Sequence, residues 1–275
     1  MTRQQIVFIG GGNMARSLAG GLIADGYPAD HIHVTDPSAE QRQRLGDRYG
    51  VGTSGDNRGA VAGADVVVLA VKPQVLRDVA TELGPAMAAR RPLVISIAAG
   101  VRERDISRWL GFDGPVVRCM PNTPSLLQSG VAALYPNAQV DEGQRNTAES
   151  ILRAVGSVIW LDDETLLDTV TAVSGGGPAY FFLFMESLEA AAVARGIPAD
   201  KARLLVIETA LGASRMALES EDDPATLRAN VTSKGGTTAE ALGVFEREDL
   251  KDMVDRAIDA ARNRAAELGD ELGKG

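Results

Sequence analysis

A chain of 275 residues, 45% of them hydrophobic, is long enough for two domains of unequal size and has a globular rather than a disordered composition. Its 28 basic and 37 acidic residues leave a net charge of −9 with no basic stripe, which argues against nucleic acid or an anionic membrane as a partner. The single cysteine, Cys119, excludes an intrachain disulfide and fits a reducing compartment.

The first apolar run, residues 6–9, stops at Gly10. It is too short for a signal-peptide core and reads as a buried first strand. No later segment reaches the roughly 18 uncharged residues of a membrane span, so a cytoplasmic protein is expected. Residues 14–24 read as a helix, 32–35 as a second strand, 40–49 as a helix, 66–71 as a third strand and 75–83 as a helix. Further strands are expected at 93–97, 116–119, 131–135 and 158–161, with a helix at 141–155 between the last two. Short runs continuous in Val, Ile and Leu indicate a sheet covered on both faces. Strand–helix–strand order then predicts parallel strands with right-handed crossovers.

Strand signals stop near Asp163. Helical spacing takes over at 164–173, 179–195, 199–218, 224–231, 238–245 and 250–268. The helix over 180–194 is apolar nearly all round, with Glu186 and Glu189 its only charges. Such a helix is the centre of a bundle or part of a subunit interface, and the small size of the domain favours the interface. The expected fold is α/β: a doubly wound, Rossmann-type parallel sheet over 1–162, followed by an all-α domain over 163–275 for substrate binding and dimerisation.

Between the first strand and its helix, Gly10-Gly11-Gly12-Asn13-Met14-Ala15 fits G-x-G-x-x-A. Gly10 permits the tight turn, Gly12 lets a pyrophosphate approach the backbone, and Ala15 lets helix and strand pack closely. The helix N-terminus, with Asn13 and Met14, supplies amide donors. This is the signature of a nicotinamide dinucleotide site. Asp36, after the second strand, suits the ribose 2′-hydroxyl of NAD, or is simply a turn residue ahead of Pro37. Thr35 and Ser38 could instead donate to a 2′-phosphate, with Arg42 about a turn beyond, so NADH versus NADPH stays open. Asn57 is counted with the cofactor contacts. The later strand ends add Ala70, Val71, Lys72 and Pro73, then Ala98, Ala99 and Gly100, then Asn122 in a proline-bracketed loop. Ligands of this fold lie outside the carboxyl ends of the strands. His31 and His33 flank the second strand as surface residues, and no metal site is expected.

Residues 231–238 form a polar, glycine-rich loop running into a helix. Its amides and the hydroxyls of Thr232, Ser233, Thr237 and Thr238 can grip a carboxylate, which is compatible with simple helix capping. With that segment, Val71-Lys72-Pro73-Gln74, Arg118-Cys119-Met120-Pro121-Asn122-Thr123-Pro124 and Ala172-Val173-Ser174-Gly175-Gly176-Gly177-Pro178, the whole chain resembles the pyrroline-5-carboxylate reductases. Gly176 departs from the serine many members carry there.

The resemblance implies hydride transfer from NADPH (or NADH) to the C=N carbon of 1-pyrroline-5-carboxylate, giving L-proline. It also implies a homodimer or a higher homo-oligomer of dimers. Thr238 is then expected to bond the ring nitrogen, and Ser233, Gly236 and Thr237 to hold the carboxylate. Glu164 and Asn230 are expected to face the same pocket. No lysine occurs between Lys72 and Lys201. Hydroxy-acid dehydrogenases of similar fold need a general base, often a lysine on the long helix of the second domain, whereas an imine accepts hydride without a strong protein acid. A 3-hydroxy-acid dehydrogenase and a non-catalytic NAD(P)-sensing module are the competing readings.

Overall fold

The computed structural model describes residues 4–274; residues 1–3 and 275, which the two expected domain spans include, lie outside the described residues. The first strand, β1 (Ile6–Ile9), leads through the glycine turn into α1 (Asn13–Ala24). Next come β2 (Ile32–Thr35), α2 (Ala39–Tyr49), β3 (Gly52–Ser54), α3 (Asn57–Val61), β4 (Val66–Leu69), α4 (Pro73–Met87), β5 (Leu93–Ser96) and α5 (Glu103–Leu110). The sheet is completed by β6 (Val116–Met120), β7 (Gly130–Pro136), α6 (Glu142–Arg153) and β8 (Gly156–Trp160). One eight-stranded sheet results, in the order β3-β2-β1-β4-β5-β6-β7-β8.

Alternation along β1 explains why the runs are continuously apolar. Ile6 and Phe8 join a core with Leu18 of α1, Leu45 of α2 and Ile151 of α6. Val7 and Ile9 face the other way, onto Val61, Leu76, Leu83, Ile106 and Trp109 of α3, α4 and α5. Both faces of the sheet are covered, so both strand faces must be apolar.

The expected parallel order holds from β3 to β6, but β7 pairs antiparallel to β6. The connection over 121–129 contains only a short 3-10 turn, Thr123–Leu127, and is too short for a parallel crossover. From β7, α6 supplies a proper crossover, and β8 lies parallel to β7. Three elements were not expected. β3 has no apolar run and is held by backbone pairing to β2. The short α3 begins at an Asp56 N-cap whose carboxylate accepts from the Gly59 amide. The third, α5, buries Ile106, Trp109 and Leu110 on one face.

The rest of the chain is helical: α7 (Leu166–Val170), a wide π turn (Thr171–Gly175), α8 (Gly177–Val193), α9 (Ala199–Glu219), α10 (Pro224–Asn230), α11 (Thr237–Arg247) and α12 (Leu250–Gly273). By its contacts the chain divides into Met1–Gly176 with Ala260–Gly275, and Gly177–Asp259. In the first unit the end of α12 brings Leu272 onto the α4–α5 side of the core. In the second, α8 packs on α9, and the Phe184 ring lies 6.2 Å from that of Phe245 on α11. Its apolar side chains are nevertheless largely uncovered, Phe181 and Phe182 each at 65% exposure. Among the described residues no helix is long and apolar enough to cross a membrane.

Candidate active site

The glycine turn has the geometry that its residue types predict. Gly10 has φ +100°, and a Cβ there would lie 2.8 Å from the Ala70 carbonyl oxygen, so both backbone angle and space require glycine. At Gly12 a Cβ would meet nothing within 4 Å, so the space outside the turn is open. Gly12 is also the N-cap of α1 and offers no side chain to the helix amides. The N–H groups of Asn13, Met14 and Ala15 are therefore left for a ligand, and a dinucleotide phosphate fits this cradle.

Beside it, Asp36 is half-buried and both of its carboxylate oxygens accept from the backbone. The Gly11 amide donates to one at 2.8 Å and the Ser38 amide to the other at 2.8 Å. Thr35 is fully buried, and its hydroxyl donates to Oδ1 of Asn57 at 2.6 Å. That bond ties α3 to the end of β2 and takes the Thr35 hydroxyl away from any phosphate. Asn57, counted as a cofactor contact, thus has its Oδ1 engaged in the same brace.

At the end of β4, Ala70 and Val71 adjoin the glycine turn, Lys72 is exposed as the N-cap of α4, and Pro73 occupies that helix's first turn. After β5, Ala98 is buried and Ala99 exposed. Gly100 is also buried: a Cβ added there would sit 3.5 Å from Leu272 of α12. The missing side chain makes room for that helix. The Asn122 side chain is likewise committed, accepting from the Val131 amide at 3.0 Å and donating to the Ser174 carbonyl at 3.3 Å. It stitches the β6–β7 loop to the π turn, leaving only its backbone to face a cofactor. Cys119 of β6 is buried, and burial pushes its thiol well above the ordinary range, so it is no nucleophile.

Glu164 has a task the sequence did not reveal. Its Oε1 accepts from the Glu103 amide at the start of α5 and from the Arg118 guanidinium, both at 2.6 Å. Glu103 in turn accepts from Ser107 at 2.5 Å and Asn137 at 3.0 Å. Nearby, burial pushes Asp168 upward while Arg102, 3.8 Å away, pulls it back. Together these groups form a polar layer fastening β6, α5 and α7. Arg118 stood in a noted motif, but only its burial on an interior strand reveals it as the cation that Glu164 must answer.

In the second unit, Gly235 takes φ +70° and Gly236 is the N-cap of α11, again with no side-chain cap. The amides of Thr237, Thr238 and Ala239 are free of helix partners, and Thr237, Thr238 and Ser233 are exposed. The Thr232 hydroxyl donates to the Arg228 carbonyl at 2.6 Å. Asn230 donates to Asp222 at 3.5 Å, a surface contact that turns its amide toward the 220–223 loop.

These two uncapped helix starts sit in a chain with close relatives. Residues 164–268 match the model for pyrroline-5-carboxylate reductase dimerisation. Pyrroline-5-carboxylate reductase from Pseudomonas aeruginosa is 48% identical over 274 residues, covering 100% of each chain. The chain belongs to the pyrroline-5-carboxylate reductase family. The member from Escherichia coli is 34% identical over 96% of this chain and 98% of its own. The solved reductase from Coxiella burnetii superposes with TM-score 0.94 at 47% identity, covering 97% of this chain and 99% of that one. The reductase from Plasmodium falciparum, with NADP bound, gives TM-score 0.86 at 28% identity over 98% and 99%. Residues 5–100 also match a model described as NADP oxidoreductase, coenzyme F420-dependent. A 3-hydroxyisobutyrate dehydrogenase from Mycobacterium tuberculosis shares the fold, with TM-score 0.52 at 16% identity. As a pyrroline-5-carboxylate reductase, this chain carries a dimerisation region in which α8 leaves its aromatic side chains uncovered.

Proposed function

We infer that this chain reduces 1-pyrroline-5-carboxylate to L-proline with NAD(P)H as the reductant. The observation that carries this reading is end-to-end identity of 48% with a reductase of that name. When bound, the reduced nicotinamide supplies the hydride. The residues that would hold it are the α1 amides of Asn13, Met14 and Ala15, with Gly10 and Gly12 making room and Lys72 and Ala99 exposed at the strand ends. On the substrate side, the free amides at the start of α11 hold the carboxylate, as helix N-termini hold anions. The Thr238 hydroxyl meets the ring nitrogen.

No strong acid is needed, because a cyclic imine is basic enough to arrive protonated. The protein's part is then to position and desolvate. The charged residues of α8 are Glu186 and Glu189, and no lysine lies between Lys72 and Lys201. That favours an imine over a hydroxy acid, whose oxidation calls for a base. The exposed Phe181, Phe182 and Leu183 on α8 support a homodimer through this region, from which larger assemblies of dimers can be built. A reducing compartment such as the cytoplasm fits the single buried thiol.

The test compares purified protein with 1-pyrroline-5-carboxylate plus reduced cofactor against 3-hydroxyisobutyrate plus oxidised cofactor. Turnover only with the imine is expected; turnover only with the hydroxy acid would reverse the assignment.

A further inference from the structure

We propose that Arg42 is the residue that receives the 2′-phosphate of NADPH, and that Asp36 braces the glycine turn rather than selecting NADH. The inference rests on the dinucleotide site argued above and names which dinucleotide that site reads. In this fold the residue that follows the second strand meets the adenosine ribose. Here that residue is Asp36, an acid that by itself would repel a 2′-phosphate. Two features of its setting change the outcome.

The first is that each Asp36 oxygen already accepts a backbone amide, from Gly11 and from Ser38. Gly11 is the middle residue of the glycine turn. A Cβ there would lie 2.9 Å from Leu45 and 3.3 Å from the Asp36 carboxylate. Asp36 is therefore packed into the turn from below, and its charge is partly answered by two dipoles.

The second is where Arg42 points. From the second turn of α2 its side chain folds back, and Nη1 donates to the Asp36 carbonyl at 2.7 Å and to the Pro37 carbonyl at 3.1 Å. Beside it, Gly55 leaves room: a Cβ there would come within 3.4 Å of Nη1. The guanidinium is thus fixed against the backbone of the very residue that meets the ribose. Among the described residues its Nε and Nη2 have no partner. A guanidinium held by one edge with the other free suits a phosphate, which it can engage with two parallel N–H donors. Arg44, one turn away, is different, since it pairs with Glu40 at 2.6 Å on the outer surface.

Calorimetric titration of the intact protein with two cofactor fragments, 2′,5′-ADP and 5′-AMP, tests this. The wild-type protein should bind 2′,5′-ADP at least tenfold more tightly than 5′-AMP. Arg42→Ala should remove most of that preference, and Arg42→Lys should restore part of it. In steady-state assays, Arg42→Ala should raise the ratio of KM for NADPH to KM for NADH by about tenfold or more. Equal affinities for the two fragments in the wild-type protein, or an unchanged preference in Arg42→Ala, would overturn the proposal. Failure of the wild-type protein to bind either fragment would overturn it too, and with it the dinucleotide site. Activity with NADH but no dependence on Arg42 would leave the reductase reading intact and remove only this inference.

Discussion

Replacing Glu164 by alanine strands a cation and an amide at once. Arg118 has a side chain only 7% exposed, and its carboxylate partner is 19% exposed. Breaking a buried pair of this kind costs about 3–5 kcal/mol, because the remaining charge is desolvated and unanswered. The Glu103 amide at the start of α5 would lose its acceptor as well, worth about 1 kcal/mol. Partial water access at Glu164 and the nearby Asp168 carboxylate soften the loss, so about 3 kcal/mol is expected. In a unit of this size that lowers Tm by roughly 6–12 °C. Chemical and thermal denaturation of Glu164→Ala, Arg118→Met and the double variant read it directly. The double variant should be more stable than either single one predicts by addition, since it leaves no orphaned charge. A Glu164→Ala protein within about 0.5 kcal/mol of wild type, or one with intact stability and a substrate KM raised tenfold, would refute the bracing role.

Gly10→Ala forces a side chain into a left-handed backbone and onto the Ala70 carbonyl, and should cost about 1–3 kcal/mol while weakening NAD(P)H binding in a fluorescence titration. Thr238→Ala should lower kcat by about tenfold or more with little change in cofactor affinity; unchanged kcat would remove the hydroxyl from the chemistry. His33 lies within β2 and not on the surface as the sequence suggested: its imidazole is half-buried, with Nε2 against the Ser54 hydroxyl at 3.0 Å, and burial holds it below its ordinary value. A depressed folded value means the histidine's contribution is present above the unfolded value of about 6.5 and is lost as pH falls below it. Urea unfolding should show that loss as pH is lowered through about 6.5 and beyond, and His33→Gln should flatten it; an unchanged slope would contradict the reading.

The geometry of the glycine turn was legible because its signals are local. Gly10, where both backbone angle and space demand glycine, follows directly on a strand that is a continuous apolar run. The missing pieces are those whose cause is remote. β3 has no apolar signal because it is an edge strand, stabilised by β2. The reversal at β7 follows from a connection too short to cross over. The roles of Glu164, Thr35, Gly100 and Asn122 depend on partners 52 residues away for Asn122, 61 for Glu164 and 22 for Thr35. Only α5 was readable in principle: Ile106, Trp109 and Leu110 stand at helical spacing. The apolar α8 was legible as a surface needing cover, because Phe181, Phe182, Leu183 and Phe184 follow one another around the helix.

The most direct test of the account is stoichiometric. Purified protein is incubated with 1-pyrroline-5-carboxylate and a limiting amount of NADPH or NADH. Cofactor loss is followed by absorbance and proline by chromatography. The account predicts one proline for each reduced cofactor consumed. Cofactor binding with neither cofactor loss nor proline formation would contradict it.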